Sequence, residues 1–368
     1  MGVSIVLVSA EWPPLSAAVS PVMTYWSSRV PRQYILSSSR RCYSSSNACL
    51  QIGEVGAGLQ VPPNMMRILT RWGLRDTVIT SSVSLTSVHI RRWASGALLG
   101  DAPVNKSFGD QYVIHRADLH RALYERATGL PNVRVRVNAT AVSADFGEEG
   151  KEVGVMLEGG ERVEADVVLA ADGIRSRLRQ QMLGLKVNTP TPTPTGDAAY
   201  RVILPRSAML TDPDLRELID TARGTRWIGP GRHIMAYPIK AHQQYNMVLL
   251  RPDTSGGSEE SWTAVGTKQE LVDTYKGWDP VLQKTFNLIS DEKVMRWKLC
   301  THGFLETWTK GRVALLGDAC HPMLYASLFH LSRLLLTQRQ AIRGPRSRAS
   351  SRRRRYTRRP LVFHLEHR

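Results

Sequence analysis

The chain reads as an α/β protein, and three stretches predict it. Val167-Val168-Leu169-Ala170 is a short continuous apolar run of the kind that forms a fully buried strand. It passes through Ala171-Asp172-Gly173 into a helix that opens at Ser176 and stops at Gly184. A second apolar run, Val313-Ala314-Leu315-Leu316, halts at Gly317-Asp318. Between the two, Tyr200 to Leu204, His233 to Ile239 and Tyr245 to Leu250 read as strands of an antiparallel sheet.

The remaining elements follow in chain order. Residues 3 to 52 hold no glycine, carry Ser37-Ser38-Ser39 and Ser44-Ser45-Ser46, and set Arg29, Arg32, Arg40 and Arg41 against the single acid Glu11. This composition reads as an atypical leader over residues 1–52, either a transit-peptide-like segment or a stretch standing in place of a missing core unit. Pro62 to Trp72 has helical spacing after a Pro-Pro start, and Arg116 to Ala127 reads as a helix entered through Asp118. Val133 to Val142 and Val153 to Leu157 alternate like paired strands. From Thr189 a Thr-Pro repeat stiffens a linker toward polyproline geometry. Glu270 to Ile289 is mainly helical, and at Arg312 the chain returns to its first domain.

Charge is unevenly spread. The formal net charge is +17, yet about +11 of it falls after Phe329, where twelve arginines meet one acid, Glu366. Such a like-charged run with few apolar residues is expected to stay disordered. About +6 is left for the body, an ordinary value for an enzyme of this size. An Arg-rich tail can hold phosphate backbones without sequence preference, but no groove-reading or base-stacking module accompanies it, so nucleic-acid binding is not the favoured class. Met1 to Val8 is apolar but short and broken by Glu11-Trp12-Pro13-Pro14, which argues against a membrane span. Cys42, Cys49, Cys300 and Cys320 are few and scattered, which argues against a metal site and for a reducing, cytoplasmic compartment.

The two strand-to-turn segments carry the chemistry. Gly317 lets a ligand approach the backbone, and Asp318 can accept hydrogen bonds from hydroxyls. Asp172 can likewise take a sugar hydroxyl, while a helix N-terminus with Arg175, Arg177 or Arg179 nearby can meet an anion. Taken singly, each segment also fits a plain turn.

Together the segments resemble the class A flavoprotein monooxygenases, the FAD-dependent aromatic hydroxylases that include salicylate hydroxylase. The carrying residues are Gly317-Asp318-Ala319-Cys320-His321 and Asp172-Gly173-Ile174-Arg175-Ser176-Arg177-Leu178-Arg179. They are joined by Glu54 to Asn64, Ile114 to His120, Gly196 to Arg201 and Trp308 to Arg312. The resemblance runs from about Glu54 to Leu324. It implies a Rossmann-like FAD-binding domain with an incomplete first βαβ unit, built from residues 53–188 and 291–328. An inserted α+β substrate domain with an antiparallel sheet would occupy residues 189–290, and a basic tail residues 329–368. Two departures stand out. The family's G-x-G-x-x-G pyrophosphate loop has no counterpart, and the stretch from Met323 has no glycine before Gly344.

What the resemblance implies for function is hydroxylation of a phenolic or aromatic acid with FAD, NAD(P)H and O₂, and no metal. The cofactor-binding residues it implies are Gly58, Arg116, Asp172 and Asp318. For the substrate it implies Arg201, as the partner of a phenolate, and Tyr237, as a hydrogen-bond donor. Read from the residues alone, Arg201 faces either solvent or a polar pocket, and Tyr237 also fits a core tyrosine. The alternatives are a catalytically impaired remnant lacking the pyrophosphate loop, and a nucleic-acid binder acting through the tail.

Overall fold

The structure is a computed structural model that describes residues 5–9, 33–37, 57–136, 139–146, 153–185, 192–253, 265–290 and 294–323, with backbone only for the first two stretches. The Arg-rich tail and the Thr-Pro repeat before Pro192 lie outside the described residues.

A six-stranded sheet forms the first layer, in the order Thr309–Lys310, Val313–Leu315, Val167–Ala171, Ile5–Ser9, Gln33–Ser37, Val133–Arg136. All its pairings are parallel except the edge hairpin of Thr309–Lys310 with Val313–Leu315. Parallel strands are covered on both faces and therefore read as unbroken apolar runs, which is what VVLAA and VAL are. The helices Arg116–Thr128 and Arg177–Met182 and a small antiparallel sheet (Ala141–Ala144, Val153–Leu157, Arg162–Ala165) complete this module. Val153, Val155, Val168, Ala170, Leu178, Val313 and Leu315 share one core cluster.

This sheet corrects the reading of residues 1–52 as a leader. Ile5–Ser9 lies at the centre, paired with Val167–Ala171 on one side and Gln33–Ser37 on the other. The sequences IVLVS and QYILS are apolar runs of strand length, but without the glycine loop that usually follows the first one they carry no signature. The paired-strand reading of Val133 to Val142 also divides: Val133–Arg136 joins the parallel sheet, and Ala141–Ala144 joins Val153–Leu157.

An eight-stranded sheet forms the second module, in the order Val265–Gly266, Val294–Thr301, Thr193–Pro205, Gln244–Pro252, Arg232–Ile239, Arg223–Gly229, Ser87–Arg92, Leu98–Pro103. It therefore draws strands from before residue 189 and after residue 290, beyond the 189–290 limits expected of it. The Thr-Pro stretch enters it directly, since Thr193 and Pro194 already pair with Thr301 and Cys300. Alternation along these strands separates two faces. Tyr200, Val202, Leu204, Ile234, Ala236, Tyr245, Met247 and Leu249 pack with Leu215 and Leu218 of helix Pro213–Asp220, Leu271 of Lys268–Thr274, and Leu282 and Phe286 of Pro280–Asn287. On the opposite face Tyr237, Ile239, Ile203 and Met235 pack against Val83, Leu85 and Val113. Those last three belong to a three-stranded sheet of Gly58–Val61, Gln111–His115 and Ser82–Leu85. The seam between that small sheet and the eight-stranded one is where the candidate substrate residues gather.

Candidate active site

Two groups of residues make up the site. The first lies at the carboxyl ends of the parallel strands, where open α/β sheets bind ligands. Val167–Ala171 and Val313–Leu315 are neighbours, with Ala170 opposite Leu315, and Leu316 N donates to Ala170 O at 2.8 Å. Asp172 and Asp318 therefore leave the same end of one sheet. Gly317 has φ of +60° and Gly173 of +78°, conformations that favour glycine in each turn.

Asp172 is largely committed to its own turn. One carboxylate oxygen accepts from Ser176 Oγ at 2.6 Å and the other from Leu178 N at 3.3 Å, while Ser176 Oγ caps the helix by accepting from Arg179 N at 2.8 Å. Burial pushes the Asp172 carboxyl above its usual range, and the bonds from Ser176 and the backbone pull it back. Of the three arginines expected to meet an anion, Arg175 and Arg177 are exposed and Arg179 is buried. Arg179 donates to the carbonyls of Ala319 and Cys320, both at 3.3 Å, and of Gly303 at 3.4 Å. Asp318 stands in the 3₁₀ turn Gly317–Ala319 and is only partly buried. Its carboxylate chemistry fits a polyol at this strand end, and an Arg116 guanidinium fits phosphate or ribityl oxygens. The segment after Ser9 departs from the usual pyrophosphate cradle in having no glycine, and it lies outside the described residues.

The second group lies at the seam. Gly58 pairs with His115, and Arg116 N donates to Ala57 O at 3.2 Å, so the start of helix Arg116–Thr128 is fixed beside the strand Gly58–Val61. The cap of that helix is His115, whose Nδ1 accepts from Ala117 N at 3.1 Å. Asp118, read from sequence as the entry residue, instead pairs with Arg121 at 2.9 Å. Across the seam Gly58 N donates to Asn246 Oδ1 at 2.7 Å, and a Cβ at Gly58 would lie 2.6 Å from Tyr237 Cε2.

Arg201 lies on the same sheet face. It pairs with Val248, which pairs with Met235, while Ile203, Asn246 and Tyr237 form the next row. Its guanidinium lies 3.7 Å from the centroid of the Trp297 ring, and its buried Nε has no hydrogen-bond partner among the described residues. Burial lowers the Arg201 pKa to about 10; the nearby Tyr237 opposes this shift and Arg116 adds to it. Arg116, Arg201 and Tyr237 are thus within electrostatic reach of one another, and Gly58 touches the same cluster.

Asn246 is the residue that sequence reading passed over. It is wholly buried, and its Nδ2 has no hydrogen-bond partner among the described residues. Leaving a buried donor unmade costs about 1–3 kcal/mol. The signal was a polar residue between Tyr245 and the apolar run from Met247 to Leu250, the same signal that marked Arg201. Among the described residues no three His, Cys, Asp or Glu side chains are grouped to hold a metal ion.

Comparison with known proteins follows from this geometry. The family described as FAD binding domain matches residues 56–326. The FAD-dependent monooxygenase atnJ of Arthrinium sp is 37% identical over 274 residues, which is 74% of this chain and 63% of that protein. The 3-hydroxybenzoate 6-hydroxylase 1 of Aquipseudomonas alcaligenes is 32% identical over 285 residues, covering 74% of this chain and 67% of its own length. The crystal structure of Klebsiella pneumoniae HpxO complexed with FAD and uric acid superposes with a TM-score of 0.68 at 21% identity, over 87% of this chain and 74% of that one. That last likeness concerns the fold. The chain spans about 63% of the length of the first relative it matches.

Proposed function

We propose, from the premise that the chain belongs to the FAD binding domain family, that it acts as a flavoprotein monooxygenase on a phenolic or aromatic acid. FAD would be held by Asp318 and Arg116, with Asp172 shaping the neighbouring turn and the strand from Gly58 lying alongside. Bound there, it supplies the transfer of reducing equivalents from NAD(P)H to O₂. The chain's own contribution is to bind and orient the ring. Arg201 pairs with the phenolate or carboxylate oxygen, Trp297 holds the guanidinium plane, and Tyr237 donates to the same region. The apolar seam of Val83, Leu85, Val113 and Ile239 excludes water from that oxygen.

The observation that carries this reading is the buried, unpartnered Nε of Arg201 on the sheet face that looks toward Gly58 and Arg116. Relatives named 3-hydroxybenzoate 6-hydroxylase 1 and 6-hydroxynicotinate 3-monooxygenase support the aromatic-acid class. A cytoplasmic location accords with Cys300 and Cys320, which form no disulfide among the described residues, where also no helix is long and apolar enough to cross a membrane.

The test is spectroscopic and kinetic. Protein incubated with excess FAD and then gel-filtered should keep a flavin absorbance band, and its NAD(P)H oxidation should rise when a phenolic acid is added. A colourless protein indifferent to phenolic acids would support the remnant reading instead.

A further inference from the structure

We propose that Asn246 is a third substrate-contacting donor, which together with Arg201 and Tyr237 holds an oxyanion on the aromatic ring; this rests on the reading above. Three observations carry it. First, the amide orientation is fixed. Gly58 N donates to Asn246 Oδ1 at 2.7 Å, and a flipped amide would set N–H against N–H, so the NH₂ group points elsewhere. Second, that NH₂ is wholly buried and has no hydrogen-bond partner among the described residues, as is also true of Arg201 Nε. Third, the two orphaned donors share a face. Asn246 is directly opposite Tyr237, and it is two residues from Val248, the partner of Arg201.

The ligand chemistry follows from the donor set. Arg201 and the Asn246 amide offer only N–H groups here, and the groups acting electrostatically on Arg201 are Tyr237 and Arg116, neither of them a carboxylate. Such a set calls for an acceptor carrying negative charge, and the Trp297 ring beneath Arg201 gives it a flat wall. A phenolate and a ring carboxylate both meet that description.

The experiment uses the full chain loaded with FAD and two probes, 2,4-dihydroxybenzaldehyde for the phenolate and benzoate for the carboxylate. Binding is measured by the change in flavin absorbance and by calorimetry. Asn246→Asp keeps an acceptor for Gly58 N–H, removes the donor and adds like charge. It should weaken binding of at least one probe by about tenfold or more, with FAD content unchanged, and the probe affected identifies the oxyanion. Asn246→Thr, with one hydroxyl to serve two partners, should weaken the same probe by a smaller factor and covers the case in which the Asp variant fails to fold. Wild-type affinity for both probes in both variants would overturn the proposal. So would loss of FAD with probe affinity unchanged, which would assign the amide to the cofactor. A wild-type chain that binds FAD but neither probe would sink the proposed function instead.

Discussion

Arg179 and Cys320 are 141 residues apart in sequence, yet the guanidinium of one donates to the carbonyl of the other at 3.3 Å. The same group reaches Ala319 and Gly303, so a single buried arginine ties the helix Arg177–Met182 to the turn that carries Asp318. Burial lowers the Arg179 pKa, and the three carbonyls answer its charge.

Arg179→Met keeps the aliphatic stem and strands those carbonyls. We expect about 2–3 kcal/mol of destabilisation in urea unfolding, together with weaker FAD retention because the Gly317–Ala319 turn loses its anchor. An unchanged midpoint would show that the clamp is incidental.

Arg201→Gln removes the charge while keeping a polar side chain. The expected outcome is a fall in kcat/KM for a phenolic acid of about a hundredfold, with FAD content held. Arg201→Lys should recover little, because an ammonium cannot reproduce a planar guanidinium stacked on Trp297. Full activity in either variant would remove Arg201 from the substrate site.

Gly58→Ala tests the seam. The added Cβ would stand 2.6 Å from Tyr237 Cε2 and 2.9 Å from Asn246 Cγ, too close for any real contact, so the two sheets must part or Tyr237 must rotate. Overpacking of this kind costs about 1–3 kcal/mol. Thermal unfolding should report it, and a melting temperature equal to wild type would show that the contact is soft.

His120 and His233 set a pH dependence. Burial first, then Arg116 for His120 and Arg226 for His233, lowers each imidazole pKa from 6.5 to about 4. The unfolded chain binds these protons at higher pH than the folded one does, so stability is complete above 6.5 and is lost as pH falls toward 4. Melting temperatures across that window should decline, and His233→Gln should flatten part of the slope. A slope of opposite sign would contradict the burial of both rings.

The parts of the fold legible in sequence were those fixed by local chemistry. The turns after Ala171 and Leu316, the helix from Arg116 and the three alternating strands around Arg201 and Tyr237 each announce themselves within a dozen residues. What escaped depends on distant pairing. Nothing local in Ser87–Arg92 says that it will lie parallel to Arg223–Gly229, nor does IVLVS say that it will become a central strand. Asn246 escaped for the same reason, since an amide within a strand acquires meaning only when register sets it opposite Tyr237 and beside Gly58.

The six-stranded sheet brings together Ile5–Ser9 and Val313–Leu315 with only Val167–Ala171 between them. A chain emerging from the ribosome must hold its first strand without a neighbour on that side until Val167 appears, and cannot finish that flank until Leu315 has left the exit tunnel. The layer therefore closes late in synthesis, which makes chaperone supply during translation a determinant of yield.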